Sequence, residues 1–380
     1  MLQFLDYETL RVVWWLLLGV LLMGFAAMDG FDLGVGMWLP FLAKTDSERR
    51  MIINSVGPVW EGNQVWLILG AGAIFAAWPP VYAVAFSAFY PAMFLVLCAL
   101  ILRPVGFKYR SKLENPRWRE AWDWLLFVGG LVPALVFGVA VGNALLGAPF
   151  RFDGDLRMSY AGSLLGLFQP FAVLAGLVSV AMLAMHGAAY LAAKAGAPVA
   201  ARARRAASWA AWVFIALFAV GGLWTVNLAG YRIVGTLAHD AASNPLHKQV
   251  VRQAGAWLAN YSAMPWTMIA PALGLVGAAL MVLALRTRHD KLAFVASGAA
   301  VKGVVATAGL SMFPFILPSS LDPSMSLTVW DASSSRATLA LMLVAVVLIL
   351  PAVLAYTAFV YRVLRGRVTP GRVEADPHSY

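Results

Sequence analysis

The chain has 380 residues, of which 61% are hydrophobic and 12% charged, with a formal net charge of +10. Soluble domains carry about 25% charged residues, so this composition excludes an ordinary soluble globule and makes a bilayer the solvent of most of the surface. The basic excess then reads as a topology signal rather than a nucleic-acid site, and one cysteine, Cys98, excludes an internal disulfide or a cysteine-ligated iron–sulfur cluster.

A helix crosses the hydrocarbon with about 20 apolar residues. The apolar stretches predict nine spans, near 11–43, 57–78, 81–103, 122–148, 161–193, 206–230, 266–286, 292–318 and 337–363. Ahead of the first, Met1 to Leu10 holds Asp6 and Glu8 and no basic residue, which does not suit a cleavable signal peptide. The second and third spans are joined by little more than Pro79-Pro80, a tight hairpin. In the long connection 231–265, Asn244-Pro245 reads as an N-cap with proline at N1, so Leu246 to Asn260 is expected as a short surface helix. Before the last span, Asp331 is expected to cap the helix.

Lysine and arginine divide unevenly between the connections. Twenty fall on one face, among them Lys44, Arg103, Arg204, Arg286 and the tail with Arg372, and seven on the other. The positive-inside rule puts the richer face in the cytoplasm, with the N-terminus outside and the C-terminus inside. An odd number of spans is required for that alternation.

The spans carry a few polar groups, and a carboxylate at membrane depth costs roughly 2.5–3.5 kcal/mol, so it marks proton traffic or buried pairing. Asp29 lies well inside the first span and Glu61 near the start of the second, with Asn63 and Gln64 beside it. A short inner loop joins the two spans, so the carboxylates are expected to face each other. A proton path from the cytoplasm and a hydrogen-bonded structural cluster both fit. Lys302 sits near the middle of the eighth span, where it pairs with an acid or snorkels. His186 is the one histidine within a span; His239, His247, His289 and His378 lie in connections or the tail. A six-coordinate haem needs two axial ligands, so no haem or metal is expected to bind tightly in this chain.

Ala27-Met28-Asp29-Gly30 recurs as Ala184-Met185-His186-Gly187, and Arg49-Arg50 as Arg204-Arg205 at nearly the same offset. An even number of spans per repeat gives a parallel repeat about an axis along the membrane normal. The expected division is 1–160 for a first four-helix unit, 161–318 for a second, and 319–380 for a ninth helix and tail. Such a repeat with buried Asp29, Glu61 and Lys302 also suits a proton- or sodium-coupled secondary transporter, and an inert membrane anchor is a third reading.

Several motifs decide between these readings. They are Tyr7-Glu8-Thr9-Leu10-Arg11, Asp29-Gly30-Phe31-Asp32-Leu33-Gly34, Trp60-Glu61-Gly62-Asn63-Gln64-Val65-Trp66, Arg103-Pro104-Val105-Gly106-Phe107, Trp122-Asp123-Trp124, Met312-Phe313-Pro314-Phe315 and Trp330-Asp331-Ala332. Together they resemble subunit II of the cytochrome bd-type quinol oxidases, from about residue 6 to the tail. The resemblance implies an all-α integral membrane subunit of nine helices, two four-helix bundles plus a peripheral helix, in the bacterial cytoplasmic membrane. It implies a quinol:dioxygen oxidoreductase, using ubiquinol or menaquinol and reducing O2 to water, whose haems b and d sit in a partner, subunit I, of similar fold. It leaves room for a small single-span accessory subunit and for a quinone held as a structural lipid. Membrane lipids and quinol are the other expected contacts; no nucleic acid is expected. By residue, it implies a proton pathway at Asp29 and Glu61, supported by Trp60, Asn63, Gln64 and Trp66, with Arg103 as a quinone or lipid contact. Some relatives have aspartate where this chain has Glu61.

Overall fold

The structure is a computed structural model and describes residues 5–369 together with 371 and 373; Arg372 and His378 lie outside the described residues. In chain order the helices are α1 (Tyr7–Leu42), α2 (Asp46–Val56), α3 (Trp60–Ala77), α4 (Pro79–Ala88), α5 (Tyr90–Tyr109), α6 (Pro116–Leu146), α7 (Pro170–Lys194), α8 (Ala197–Asn227), α9 (Ala259–Ala263), α10 (Ile269–Arg286), α11 (Asp290–Met312) and α12 (Arg336–Val363). Among the described residues, eight helices are long and apolar enough to cross a membrane: α1, α5, α6, α7, α8, α10, α11 and α12. The chain is a mostly helical, multi-pass membrane protein.

Prolines and caps explain where the helices depart from the apolar runs. Pro116 and Pro170 open α6 and α7 at the first turn, where the missing N–H has no intrahelical partner to lose. The run expected at 161–193 therefore starts as a helix only at Pro170. The expected third span is split: α4 ends at Ala88, and Pro91 at the first turn of α5 begins a new helix that continues past Arg103 to Tyr109. The last helix is capped by Ser335, whose side chain accepts from the Thr338 backbone N–H, not by Asp331.

Short antiparallel hairpins cover the less basic face: β1 (Phe150–Phe152) with β2 (Met158–Tyr160), β3 (Ala229–Val234) with β4 (Gln249–Ala254), and β5 (Phe315–Leu317) with β6 (Leu327–Thr328). The expected helix over Leu246 to Asn260 is instead broken up: a turn, the strand β4 and a 3-10 turn precede the start of α9. Asn244 does accept from the Leu246 backbone N–H at 2.9 Å, but it closes a turn, and Val250 then pairs with Ile233 in the β3–β4 ladder. The β-branched pair Val250-Val251 favours the strand over a helix. The connection is pinned by a buried ion pair, Lys248 Nζ to Asp331 Oδ2 at 2.7 Å. Burial pushes the Lys248 ammonium below its usual range, and Asp331 opposes that shift. Arg11 is fully buried under the same cap, donating to Ser333 Oγ at 2.7 Å and to the carbonyls of His239 and Ala241.

Helix α1 is the hub: it packs on α3, α6, α7, α11 and α12. Its 36 residues make it about 54 Å long at 1.5 Å per residue, more than a 30 Å core needs. It meets its neighbours backbone to backbone. A Cβ on Gly34 would fall 2.1 Å from the Leu183 carbonyl oxygen, one on Gly187 would fall 2.4 Å from the Gly34 carbonyl carbon, and one on Gly130 2.4 Å from the Leu33 carbonyl oxygen. In lipid, helices associate through such close van der Waals contact.

This crossing makes Gly34 intolerant of bulk. Gly34→Val is expected to lower the subunit's stability by about 1–3 kcal/mol or more, read as a fall in melting temperature in detergent. Gly222→Val in α8, where a Cβ meets nothing within 4 Å, is the matched control and is expected to show no such loss.

Candidate functional site

Five side chains from four helices converge where α1 passes α3, α5 and α12. Arg103 of α5 grips Asp29 of α1 with both terminal nitrogens, Nη2 to Oδ1 at 2.8 Å and Nη1 to Oδ2 at 3.1 Å. The same Nη2 lies 3.9 Å from Oδ2 of Asp32, one turn further along α1. Asn63 of α3 donates its amide to Asp32 Oδ2 at 2.8 Å, and Tyr361 of α12 donates its hydroxyl to Asn63 Oδ1, also at 2.8 Å. Asp29 is 0%, Asn63 1%, and Asp32 and Arg103 each 2% exposed, so water is largely excluded. Two carboxylates share one guanidinium, and Asp32 Oδ1 has no hydrogen-bond partner among the described residues.

The cluster sits toward the basic face, not at mid-bilayer. Asp32 lies ten residues before the end of α1, about 15 Å along the axis, and Arg103 six residues before the end of α5, about 9 Å. Asn63 is in the first turn of α3 and Tyr361 in the last turn of α12.

The residues expected from sequence separate here. Asp29 is in the cluster and Asn63 joins it. Glu61 does not: it is exposed, while Asn63, two residues on, is buried, as a rotation of about 200° between the two requires. Asp29 faces Arg103, not Glu61 as the sequence led one to expect, and both terminal nitrogens of Arg103 bond to Asp29. Trp60 packs against Phe107 with ring centroids 5.7 Å apart, and Trp66 seats on Gly24, where a Cβ would come within 2.5 Å of the indole. Both tryptophans fix α3 against its neighbours. Gln64 is half-buried. Sequence reasoning missed Asp32, Tyr361 and the pairing of Arg103 with Asp29. The signal for Asp32 was there: an acid three residues after Asp29 shares its helical face.

His186 is buried with both ring nitrogens engaged, Nδ1 with Ser297 Oγ at 2.7 Å and Nε2 with the Ala27 carbonyl at 2.9 Å. Neither nitrogen is open to a haem iron, and among the described residues no group of three or more His, Cys, Asp or Glu is arranged to hold a metal. Lys302 is exposed on α11, with no ion pair among the described residues.

Two features flank the cluster on the basic face. Arg110 and the motif residue Asp123 form a buried pair, Nε to Oδ1 at 2.6 Å, which Arg49 joins at 3.0 Å and Asp46 at 2.9 Å from Arg110. This ties α2 to α5 and α6. Beside it opens a cavity of about 890 Å3, with Tyr190, Phe294 and Tyr361 among its apolar and aromatic lining and Lys194, Arg288 and Arg365 among its cations.

The family described as "Cytochrome bd terminal oxidase subunit II" matches residues 10–364. The chain is 50% identical over 376 residues to the Escherichia coli protein named "Cytochrome bd-I ubiquinol oxidase subunit 2", covering 99% of each. It is 47% identical over 375 residues to the "Probable cytochrome oxidase subunit 2" of Haemophilus influenzae, again with 99% of each covered, and 31% identical over 374 residues to "Cytochrome bd ubiquinol oxidase subunit 2" of Bacillus subtilis, with 98% and 99% covered. Among solved structures, the bd oxidase of Geobacillus thermodenitrificans contains a chain of similar fold, with TM-score 0.71 and 18% identity, over 93% of this chain and 98% of that one.

The ion pair makes a prediction independent of activity. Arg103→Met strands two buried carboxylates and is expected to cost about 3–5 kcal/mol, read as loss of folded subunit on thermal challenge in detergent. Adding Asp29→Asn in the same chain is expected to recover most of that loss. Equal losses in the single and double variants would contradict the pairing.

Proposed function

The chain belongs to the cytochrome bd terminal oxidase subunit II family, and from that membership we propose that it is the haem-free half of the complex and carries protons to its partner. It is a subunit of a membrane-bound quinol oxidase, an oxidoreductase; nothing in the comparisons supports the transporter reading. The haems b and d, and with them the reduction of O2 to water, belong to subunit I. The engaged nitrogens of His186 support that division. The redox chemistry is supplied by the haems of the partner, and this chain supplies protons and packing.

In this reading α3 is a ninth span. Its 18 residues are about 27 Å long, and only a polar first turn separates it from the other eight. A crossing there restores the odd number that the lysine and arginine asymmetry requires, with the N-terminus outside and the C-terminus in the cytoplasm. The parallel repeat of two four-helix units, 1–160 and 161–318, with α12 peripheral, is supported by contact between the two copies of the repeated motif. His186 of the second copy bonds to Ala27 of the first, as segments flanking a two-fold axis can do.

The partner's seat is marked on α3. Glu61, Val65, Ile68, Leu69 and Phe75 are all exposed and fall on one helical stripe. A carboxylate at the head of an apolar stripe is poorly suited to lipid and well suited to a second membrane subunit.

The observation that carries the proton reading is the charge count of the buried cluster. One guanidinium faces two carboxylates in a dry site, which leaves one negative charge in excess. Asp29 holds Arg103 in a two-point pair, so Asp32 is the group that takes up the balancing proton. Glu61, on the outer side of the same α3 turn, then lies between the cluster and subunit I. The relay runs from the cytoplasmic side through Asp32 and Asp29 to Glu61 and on to the oxygen-reducing haem.

Asp29→Asn and Glu61→Gln keep size and remove the titratable proton. Each is expected to slow quinol-driven oxygen uptake by more than about tenfold, or roughly 1.4 kcal/mol in barrier, with haem content near that of the unaltered complex. Full turnover with full haem in both variants would make the carboxylates structural.

A further inference from the structure

The proton reading leaves open how water reaches a cluster that is 0–2% exposed. We infer that the 890 Å3 cavity on the basic face is the water-filled entrance for protons, and that Tyr361 and Asn63 are the positioning residues that join it to Asp32. This rests on the relay reading and adds its point of uptake.

Three observations converge. The cavity is bounded by α2, α7, α11 and α12, and its wall includes Tyr361, whose hydroxyl reaches Asn63, which in turn reaches Asp32. Two hydrogen bonds therefore separate a space large enough for many waters from the carboxylate that carries the surplus charge. Secondly, the bond directions leave a defined role for water. Tyr361 donates to the Asn63 carbonyl and Asn63 donates to Asp32 Oδ2, so both side chains are locked and neither conducts well, an amide being a poor proton carrier. Asp32 Oδ1, buried and without a partner among the described residues, is the remaining acceptor, and it is the oxygen on which a proton from water arrives. In that step an O–H bond of hydronium breaks, the proton joins Asp32 Oδ1, and neutral water remains. Thirdly, the walls of the cavity are fixed by their own chemistry. Tyr190 stacks on Phe31 at 4.2 Å and donates to the Ser55 carbonyl, and Lys194 donates to the Leu364 carbonyl, so α2, α7 and the end of α12 are tied at set positions around the space. Asp290 binds both Arg204 and Arg367 at the rim, each within 2.8 Å, which leaves the mouth wettable and fixes the chain that follows α12.

The route differs from one that begins at Glu61. Glu61 lies on the exposed face of α3, whereas the cavity approaches Asp32 from the α7 and α12 side. In the proposed order, protons enter by the cavity and leave by Glu61.

The test uses the assembled oxidase in inverted membrane vesicles, with Cys98→Ser and Ala193→Cys in this chain. Ala193 is half-buried on the cavity wall and makes no bond to the relay. A bulky, membrane-impermeant methanethiosulfonate is added from the cytoplasmic face. Oxygen uptake is expected to fall at least about fivefold relative to the same vesicles before labelling and to return when dithiothreitol removes the label. The same reagent on Leu113→Cys, exposed on the same face, is expected to have no effect. Tyr361→Phe is expected to slow uptake several-fold and to raise the solvent deuterium isotope effect at unchanged haem content, which a packing defect would not do. Labelled Ala193→Cys with full turnover, or failure of the reagent to reach the thiol, overturns the entrance. If Asp29→Asn still slows turnover in that case, the relay stands and only its entrance is wrong; if neither change slows it, both fail.

Discussion

A guanidinium shared by two carboxylates inside a membrane is the constraint on which the rest of this subunit depends. Leaving a charge unpaired in a site this dry would cost several kcal/mol. The fold answers by clamping Asp29 to Arg103 with two short bonds and by holding Asp32 through Asn63. In the proposed relay, the remaining imbalance of one charge is what lets the site hold a mobile proton. A matched pair would be inert.

Such a site needs fixed walls, and these come from backbone contact. Glycines at 34, 130 and 187 let α1 approach α6 and α7 with no side chain between them, and Gly24 admits the Trp66 ring of α3. The acids of α1 therefore sit on an element that cannot rotate without clashing with three neighbours. On the basic face, the network of Arg110, Asp123, Arg49 and Asp46 ties the short helix α2 to α5 and α6, so the helix that brings Arg103 is anchored just beyond its own end, at Arg110. On the opposite face, buried Arg11 and the Lys248–Asp331 pair hold the hairpins against the start of α1. Both ends of α1 are thereby fixed, and the cluster hangs between them.

The membrane class, most of the spans and the burial of Asp29 were legible in the sequence, because length and hydropathy are local properties and a carboxylate in an apolar run stands out. What was not legible is which groups meet. Arg103 falls near the end of an apolar run, where a snorkelling or lipid-binding cation is the local expectation; its pairing with Asp29 is set by how α5 packs on α1. Glu61 and Asn63 are two residues apart in one motif, yet helical phase sends one outward and the other inward. Asp32 was overlooked beside Asp29 although the three-residue spacing puts both on one face. The segment from Leu246 carried a good turn signal at Asn244-Pro245 but no 3.6-residue periodicity, and its valines took it into a strand. Likewise Asp331 is spent on Lys248 and on the Thr328 backbone N–H, leaving Ser335 to cap α12.

In the proposed relay, the surplus charge of the buried cluster is balanced by a proton on Asp32 that turns over with the enzyme. Infrared difference spectroscopy of the assembled oxidase, reduced minus oxidised, observes that proton directly through the C=O stretch of a protonated carboxyl. The account predicts a carboxyl band that shifts in deuterated water, disappears in Asp32→Asn and survives in Glu61→Gln. A carboxyl spectrum left unchanged by Asp32→Asn would contradict it.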